Sequence, residues 1–499
     1  MDEKKQPDNP SSDYAAMAPY WAMASTMLAG AAAMRAAGQM YLPRFTNESE
    51  SDYKIRLNNA KFTNIFGDIV ETLAAKPFSK ELTVSNTGTT IEALIEDIDG
   101  QGNHIHQFAA QTFFNGLSHA IDWIFVDYND TAVPLPNLAA EKQAGVRPYW
   151  VHIPAQSLLA VYTEVIGGKE TIVHARVKES TIERVEFDEQ QIEHVRVMDR
   201  VVSVDALGNK VAGAATWALY REVKTADHKK DWQLEKEGVY TIGVIPLVPF
   251  IAGRRQGSTW CIKPVLQDAA YLQIEHYQQE SGLKYIKEMT AFPMLAGNGV
   301  TPPLGDDGKV LSVPVGPKTV LFAPPNGDGQ HGEWALIEPK GDSLTFLAKE
   351  VETTEAQLRE LGRQPLTAQS GNITTVTAAF AGDKAHTVIE ALALNIKDAL
   401  ENALILTAKW LKQDVQPEVE INTDFGLDLM ADNGSTILDS ARARGDLSQK
   451  TYWNELKRRS ILSPNFDADA EVTDLAGEQP ADITAEEQAM IDAQQNSMN

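Results

Sequence analysis

The chain has 499 residues and a formal net charge of −25, from 44 Lys and Arg against 69 Asp and Glu. An apolar share of 43% is that of a globular protein, which excludes a disordered chain. So negative a chain is also excluded from wrapping nucleic acid by charge neutralisation, because that needs clustered Lys and Arg. The length fits about three domains. The single cysteine, Cys261, allows no intramolecular disulfide and suits a reducing compartment. No motif frames it as a nucleophile, so it reads as a small buried hydrophobe.

Residues 15–34, AAMAPYWAMASTMLAGAAAM, imitate a targeting signal. The preceding MDEKKQPDNPSSD is mixed rather than basic, and Ala, Ser, Gly and Pro dilute the stretch below what a membrane span needs. It predicts a packed helix after a disordered tail. Residues 50–77 predict a helix stopped by Pro77, and 91–120 a second helical region.

Between 121 and 262 the apolar period changes to two. TIVHARVKES (171–180), QIEHVRVMD (191–199) and ATWALYREV (215–223) each alternate, with turn signals IGGKE and ALGNK between them. An antiparallel β region follows, closed by IPLVPFIAG (245–253). A helix is then predicted over 264–290, and short strands among Gly and Pro over 291–340, with turns at AGNG, GDDGK and PPNGDG.

A third long helix fills 342–362, where Leu344, Leu347, Val351, Leu358 and Leu361 follow a 3–4 rhythm with Thr354 in the remaining slot. A fourth runs from about 384 to 412, roughly 43 Å at ~1.5 Å per residue. Ile389, Leu392, Ile396, Ala399, Ala403, Leu406 and Trp410 form one stripe, and Val388, Leu394, Leu400 and Leu404 occupy other faces. Neighbours must bury so apolar a helix. EVEINTDF (418–425) predicts a strand, and a charged helical tail follows.

No catalytic constellation emerges. His104, His106 and His119 could be metal ligands, but histidines at i and i+2 do not share a helix face and no carboxylate cluster surrounds them, so surface or core histidines are preferred. GDDGK (305–309) lacks the Walker A spacing and its following Ser or Thr, and reads as a hairpin turn. GxSxG, HExxH, CxxC and GxGxxG are missing from any usable context. Charge is segregated near the carboxyl end. Residues 413–440 hold seven acidic residues and 465–499 nine, neither with a Lys or Arg, whereas 441–460 hold six basic against two acidic. Solvated helix faces and an acidic tail account for most of this pattern.

Between the third and fourth long helices lies RQPLTAQSGNITTVTAAFAGD (363–383), Thr- and Gly-rich, with no His or Cys and one carboxylate, Asp383. An ordinary long linker is one reading. Another makes part of it the first turn of the long helix, with Asn372 or Thr374 as N-cap.

In colinear order, the chain resembles the portal proteins of tailed bacteriophages, in a branch often described only as a domain of unknown function. The resemblance covers most of residues 38–470. It rests on GQMYLPRFTNESESDYKIRLNNAKFTNIFGDIVETLAAKPF (38–78), RPYWVHIPAQSLL (147–159), KPVLQDAAYLQIEHYQQESGLKYI (263–286), FPMLAGNG (292–299), IEPKG (337–341) and DALENALILTAKWL (398–411). It implies an α+β portal fold with a β-rich wing, two stem helices flanking an α/β clip, a tunnel loop, a long wing helix and a helical C-terminal crown. The corresponding parts are an N-terminal tail and helix (1–37), wing (38–262), stem helix 1 (263–290), clip (291–340) and stem helix 2 (341–363). Tunnel loop (364–375), long wing helix and strand (376–426), and crown with acidic tail (427–499) complete the chain.

The implied function is non-enzymatic: a dodecameric ring at one capsid vertex, present in the host cytoplasm during assembly and in the virion afterwards, through which double-stranded DNA is packaged and ejected. Implied partners are the other copies of the chain, the major capsid protein, a scaffolding protein, the terminase large subunit and a head–tail adaptor or tail protein. DNA contact is non-specific and transient, with no membrane, cofactor or metal. The implied DNA-facing residues are Gln364, Thr367, Gln369, Ser370, Gly371, Asn372, Thr374 and Thr375, in a segment expected to face the lumen and to be more mobile than its flanking helices. Two competing readings are a metal-dependent hydrolase or nuclease using His104, His106 and His119 with Asp122 or Asp127, and another virion structural protein.

Overall fold

The structure, a computed structural model, describes residues 6–128, 140, 143–224, 230–291, 294–300, 332–337, 342–363, 375–423, 425, 438–458, 462, 466 and 470–473. The chain divides into two units, Met1–Phe425 and Gly426–Asn499. Helix α1, Ser12–Leu28, starts where Ser11 Oγ accepts the Tyr14 N–H at 3.2 Å. Met17, Tyr20, Ala24 and Met27 recur at helical spacing and are buried, so the Ala-rich stretch is a core helix. It is not continuous to 34. Gly30, at φ +85, turns the chain into a separate helix α2, Ala31–Ala37.

The helix predicted over 50–77 is two helices, α3 (Glu50–Asn59) and α4 (Ile65–Ala75). Ala60 leaves the helical region at ψ 129, and Asn64 restarts it by accepting the Gly67 N–H at 3.0 Å. Strand β1, Thr83–Ser85, follows. The region 91–120 likewise splits, into α5 (Thr89–Ile95) and α6 (Ile105–His119), with Gly100 and Gly102 at positive φ between them.

Strands β2 (Ile121–Tyr128), β3 (Pro148–Ile153) and β9 (Leu247–Ile251) form an antiparallel sheet with β2 at its centre. Residues 121–126 are all buried, which is why IDWIFV shows no alternation beyond Asp122. Helix α6 packs against this sheet at Gly116, where a Cβ would fall 2.3 Å from the Phe250 ring, so only glycine permits the approach. Strands β4 (Leu158–Ile166), β5 (Lys169–Val185), β6 (Asp188–Val204), β7 (Lys210–Lys224) and β8 (Lys230–Tyr240) form a five-stranded antiparallel meander. The two turn signals hold: Gly167 and Gly168 both take positive φ, and Asp205 accepts the Leu207 and Asn209 N–H groups at 2.9 and 2.8 Å.

A short pair, β10 (Gly253–Arg255) with β11 (Ile262–Pro264), leads into helix α7, Gln267–Ala291. The helix therefore starts later than 263, because that residue is still in a strand. Cys261, beside β11, is half-buried rather than buried. Its Sγ lies 3.7 Å from an Asp13 carboxylate oxygen, and burial, followed by that neighbour, pushes the thiol pKa up.

Strands β12 (Met294–Asn298) and β13 (Glu333–Ile337) pair antiparallel. The expected GDDGK turn lies outside the described residues. Helix α8, Asp342–Arg363, precedes helix α9, Thr375–Trp410, of 36 residues or about 54 Å. Strand β14 is limited to Glu418–Glu420 and pairs with β1, shorter than EVEINTDF predicts.

The carboxyl-terminal half of α9 is the structural centre of the first unit. Ile389, Leu392, Ile396, Ala399 and Ala403 are buried, and so are Leu400 and Leu404 from other faces, whereas Leu394 is exposed. The Trp150 Nε1–H donates to Thr407 Oγ1 at 2.9 Å, and the Trp410 Nε1–H to the Val126 carbonyl at 3.0 Å, tying β3 and β2 to this helix. Among the described residues no helix is long and apolar enough to cross a membrane. In the second unit, helix α10 (Gln449–Arg458) is joined to Asp439 by Tyr452, and Trp453 packs edge-on against Phe466. Helical and antiparallel parts occupy separate stretches of the chain, which makes the class α+β.

Candidate functional site

Helices α7 and α8 pack against each other. On α8 the predicted stripe is the packed face: Thr354 and Leu358 are buried, and Leu344, Leu347, Val351 and Leu361 are half-buried. On α7, Ala269, Ala270, Gln273, Tyr277 and Leu283 are buried. The opposite sides of the pair expose Tyr271 and Phe346. Neither helix alone would hold such a mixed surface in water, since most helix stability comes from tertiary packing.

Polar side chains fasten α7 to the α3–α4 region. Gln273 is fully buried, and its Oε1 accepts the Phe66 N–H at 2.9 Å while its Nε2 donates to the Thr63 carbonyl at 3.0 Å. It thus satisfies a free amide in the first turn of α4. Lys61 pairs with Glu280 at 2.6 Å, Lys284 Nζ donates to the Asn59 carbonyl at 2.7 Å, and Gln278 to the Tyr41 carbonyl at 2.9 Å. Arg359 of α8 reaches Asp68 of α4 at 3.5 Å. None of these tethers is visible in the sequence, because a lone Gln or Lys on a helix carries no local signature of its distant partner.

Together α7 and α8 contain nine acidic and five basic residues, a net charge of −4. Gln364, Thr367, Gln369, Ser370, Gly371, Asn372 and Thr374, between α8 and α9, lie outside the described residues. Thr375 is the first residue of α9. The long helix therefore begins at 375 rather than near 384 or at 376, and Thr375 is not in a loop.

The three histidines singled out in the sequence have separate local roles. His104 caps α6, its Nδ1 accepting the His106 N–H at 3.1 Å. His106 accepts the Leu82 N–H at 3.2 Å and packs edge-on to Phe78. His119 sits between Ser25 Oγ and Ser118 Oγ, each 2.8 Å from a ring nitrogen, and no carboxylate among the described residues is hydrogen-bonded to it. Asp122 is fully buried and bonds to His152, and Asp127 accepts from the Tyr149 hydroxyl at 3.3 Å. Among the described residues no three His, Cys, Asp or Glu side chains are placed to hold a metal.

Burial lowers the His119 pKa to about 4, and burial raises that of Asp122 to about 6 against the opposing pull of His152. An imidazole with a depressed folded pKa binds fewer protons folded than unfolded. Its contribution to stability is fully present above about 6.5 and is lost as the pH falls toward 4. Asp122 runs the other way, its contribution being lost as the pH rises through about 6. The expected result is that His119→Gln flattens the acid-side fall in stability between pH 6.5 and 4, by up to ~3 kcal/mol at one pKa unit per 1.36 kcal/mol. Urea denaturation of both chains across this range measures it, and parallel curves would contradict it.

Residues 265–411, which span α7, α8 and α9, match a family described as Domain of unknown function (DUF4055). No curated protein matches the chain. Solved structures that are similar include the following three. A chain from the virion of a native gene transfer agent particle is 13% identical, with 86% of this chain and 98% of that chain covered and a TM-score of 0.40. A chain from the neck of a native particle of the same kind, computed with C12 symmetry, is 11% identical, with 85% and 98% covered and a TM-score of 0.41. A chain from the neck of an empty particle, computed with C6 symmetry, is 12% identical, with 89% and 100% covered and a TM-score of 0.40.

Proposed function

We propose that this chain is a portal protein of a tailed bacteriophage or phage-like particle. Twelve copies close into a ring at one capsid vertex, and duplex DNA enters and leaves through the central channel. A terminase and a head–tail adaptor dock on the ring, which itself catalyses nothing. The observation that carries this reading is the order α7, β12–β13, α8, polar segment, α9. Two helices that pack on each other flank the β12–β13 pair, and the second leads through residues 364–374 into a helix whose far half is buried in the core. That order is the one implied by the portal resemblance.

The chemistry of the pieces agrees. Residues 364–375 line the channel in this reading, and their amides and hydroxyls touch phosphates briefly without a fixed charge. A chain of net charge −25 gives a ring that repels the phosphate backbone, so DNA slides rather than sticks. A separate ATPase moves the DNA in this reading, which agrees with the missing Walker A motif. Native mass spectrometry of the purified protein tests the ring. Expected is a closed assembly at twelve times the 54.8 kDa chain; a stable monomer under assembly conditions would overturn the reading.

A further inference from the structure

The hairpin of β5 and β6 runs past its neighbours. Strand β4 pairs with β5 only as far as Val177, and β7 pairs with β6 only as far as His194. From Ser180↔Glu193 to Val185↔Asp188 the hairpin has no third strand among the described residues, over six residue pairs or about 20 Å, with Ile192 buried at its base and Arg221 of β7 reaching Glu183 at 3.6 Å. Every residue from 181 to 191 is exposed. A lone ribbon of this kind is marginally stable in water. It nonetheless presents Ile182, Val185 and Phe187 to solvent, the last 101% exposed at the tip, beside Glu186 held at φ +56. A two-residue hairpin turn requires such a backbone at its first position, and this turn holds the aromatic ring clear in solvent. Residues 183–189 carry four carboxylates and one cation, Arg184.

Elsewhere on the same unit, β9, the β4–β5 turn and α9 enclose an open groove of about 790 Å³. Its floor is apolar, with Val248, Ile251, Ile405 and Leu406. Its rim is cationic, with Lys169, Arg200, Arg255 and Lys409 against Glu170 and Asp398. Glu170 is already held by Arg255 at 2.7 and 2.8 Å. The β4–β5 turn and the β5–β6 tip are at opposite ends of β5, so a chain does not place its own tip in its own groove by this sheet. An acidic, apolar projection and a basic, apolar groove on separated parts of one surface are the two halves of a head-to-tail contact, the kind that closes rings.

We propose that the β5–β6 tip of one copy, centred on Phe187, seats in the β9–α9 groove of the next copy around the ring. This rests on the ring reading above and names the contact that holds it. Phe187 is the anchor, and the carboxylates flanking it meet Lys169, Arg200 and Lys409.

The test uses the full chain with Cys261→Ser as background. Phe187→Cys with Asn402→Cys, oxidised after assembly, should give a ladder of covalent oligomers in denaturing gels, absent from either single variant. Separately, Phe187→Asp should raise the concentration needed for assembly by about tenfold or more, as removal of a buried aromatic anchor does. Its melting temperature as a monomer should not change, because the side chain is fully exposed and contacts no other side chain among the described residues. A ring of normal mass with no ladder, and with Phe187→Asp assembling as the parent does, would overturn this contact and leave the ring reading standing. A chain that forms no ring at all would overturn both.

Discussion

On the portal reading, chains in which residues 369–372 are replaced by glycines will assemble into rings of the same copy number and package DNA at least roughly tenfold less well. The expected size follows from numbers. A net hydrogen bond is worth ~1 kcal/mol, and every subunit loses several chances to make one, while a tenfold change needs only about 1.4 kcal/mol. In a portal ring the losses would act together, because the same DNA would pass all copies. Assembly should be spared, since the packed surfaces of α7, α8 and α9 are untouched. Filled and empty particles counted from an infection complemented with the variant would measure this directly. Normal packaging would show that Gln369, Ser370 and Asn372 take no part in handling DNA, and that the segment is only a linker.

Arg56→Ala should cost about 3–5 kcal/mol of stability, the range for breaking a buried ion pair from one side. Arg56 is 1% exposed, and the Glu48 side chain 4%. Its Nε and Nη2 each donate to a Glu48 carboxylate oxygen at 2.8 Å, and Nη2 also donates to the Pro43 carbonyl at 2.8 Å. The guanidinium carbon lies 4.0 Å from the centre of the Phe45 ring. Alanine would remove every one of these contacts and leave Glu48 charged and buried. Lysine should not rescue, because a point charge cannot reproduce the two-pronged contact and the ring stacking. Glu48→Gln added to Arg56→Ala should recover part of the loss by removing the stranded charge. Chemical denaturation of the four chains of this cycle settles the matter, and a loss under ~1 kcal/mol would contradict the buried-pair account. The consequence reaches beyond residue 56, because α3 supports α7 through Asn59 and Lys284.

The period-two strands are legible in the sequence because each must alternate faces, and the pairing of β5 with β6 and β6 with β7 extends those short readings rather than replacing them. The α8 stripe and the buried half of α9 are legible for the same reason at helical spacing. Helix ends are harder. The apolar spacing on either side of 60–64 continues almost in phase, so only the Asn64 cap signals the break between α3 and α4. The start of α9 is hidden because threonines and Gly382 are poor helix formers, and propagation from the strongly packed residues beyond 388 carries the backbone through them. The clamp of Gln273, Lys61 and Glu280 depends on contacts more than 200 residues apart, and no local pattern encodes such a distance. Phe187 is passed over for the opposite reason: a single aromatic in a turn looks ordinary until its complete exposure is seen.

Electron cryomicroscopy of the purified assembly tests the portal reading most directly. The expected result is a closed ring of identical copies with an open axial channel wide enough for a DNA duplex. Residues 364–375 should lie at its narrowest point, with the negative surfaces of α7 and α8 in the ring. An assembly without a through-channel, or a ring that carries 364–375 on its outer wall, would contradict it.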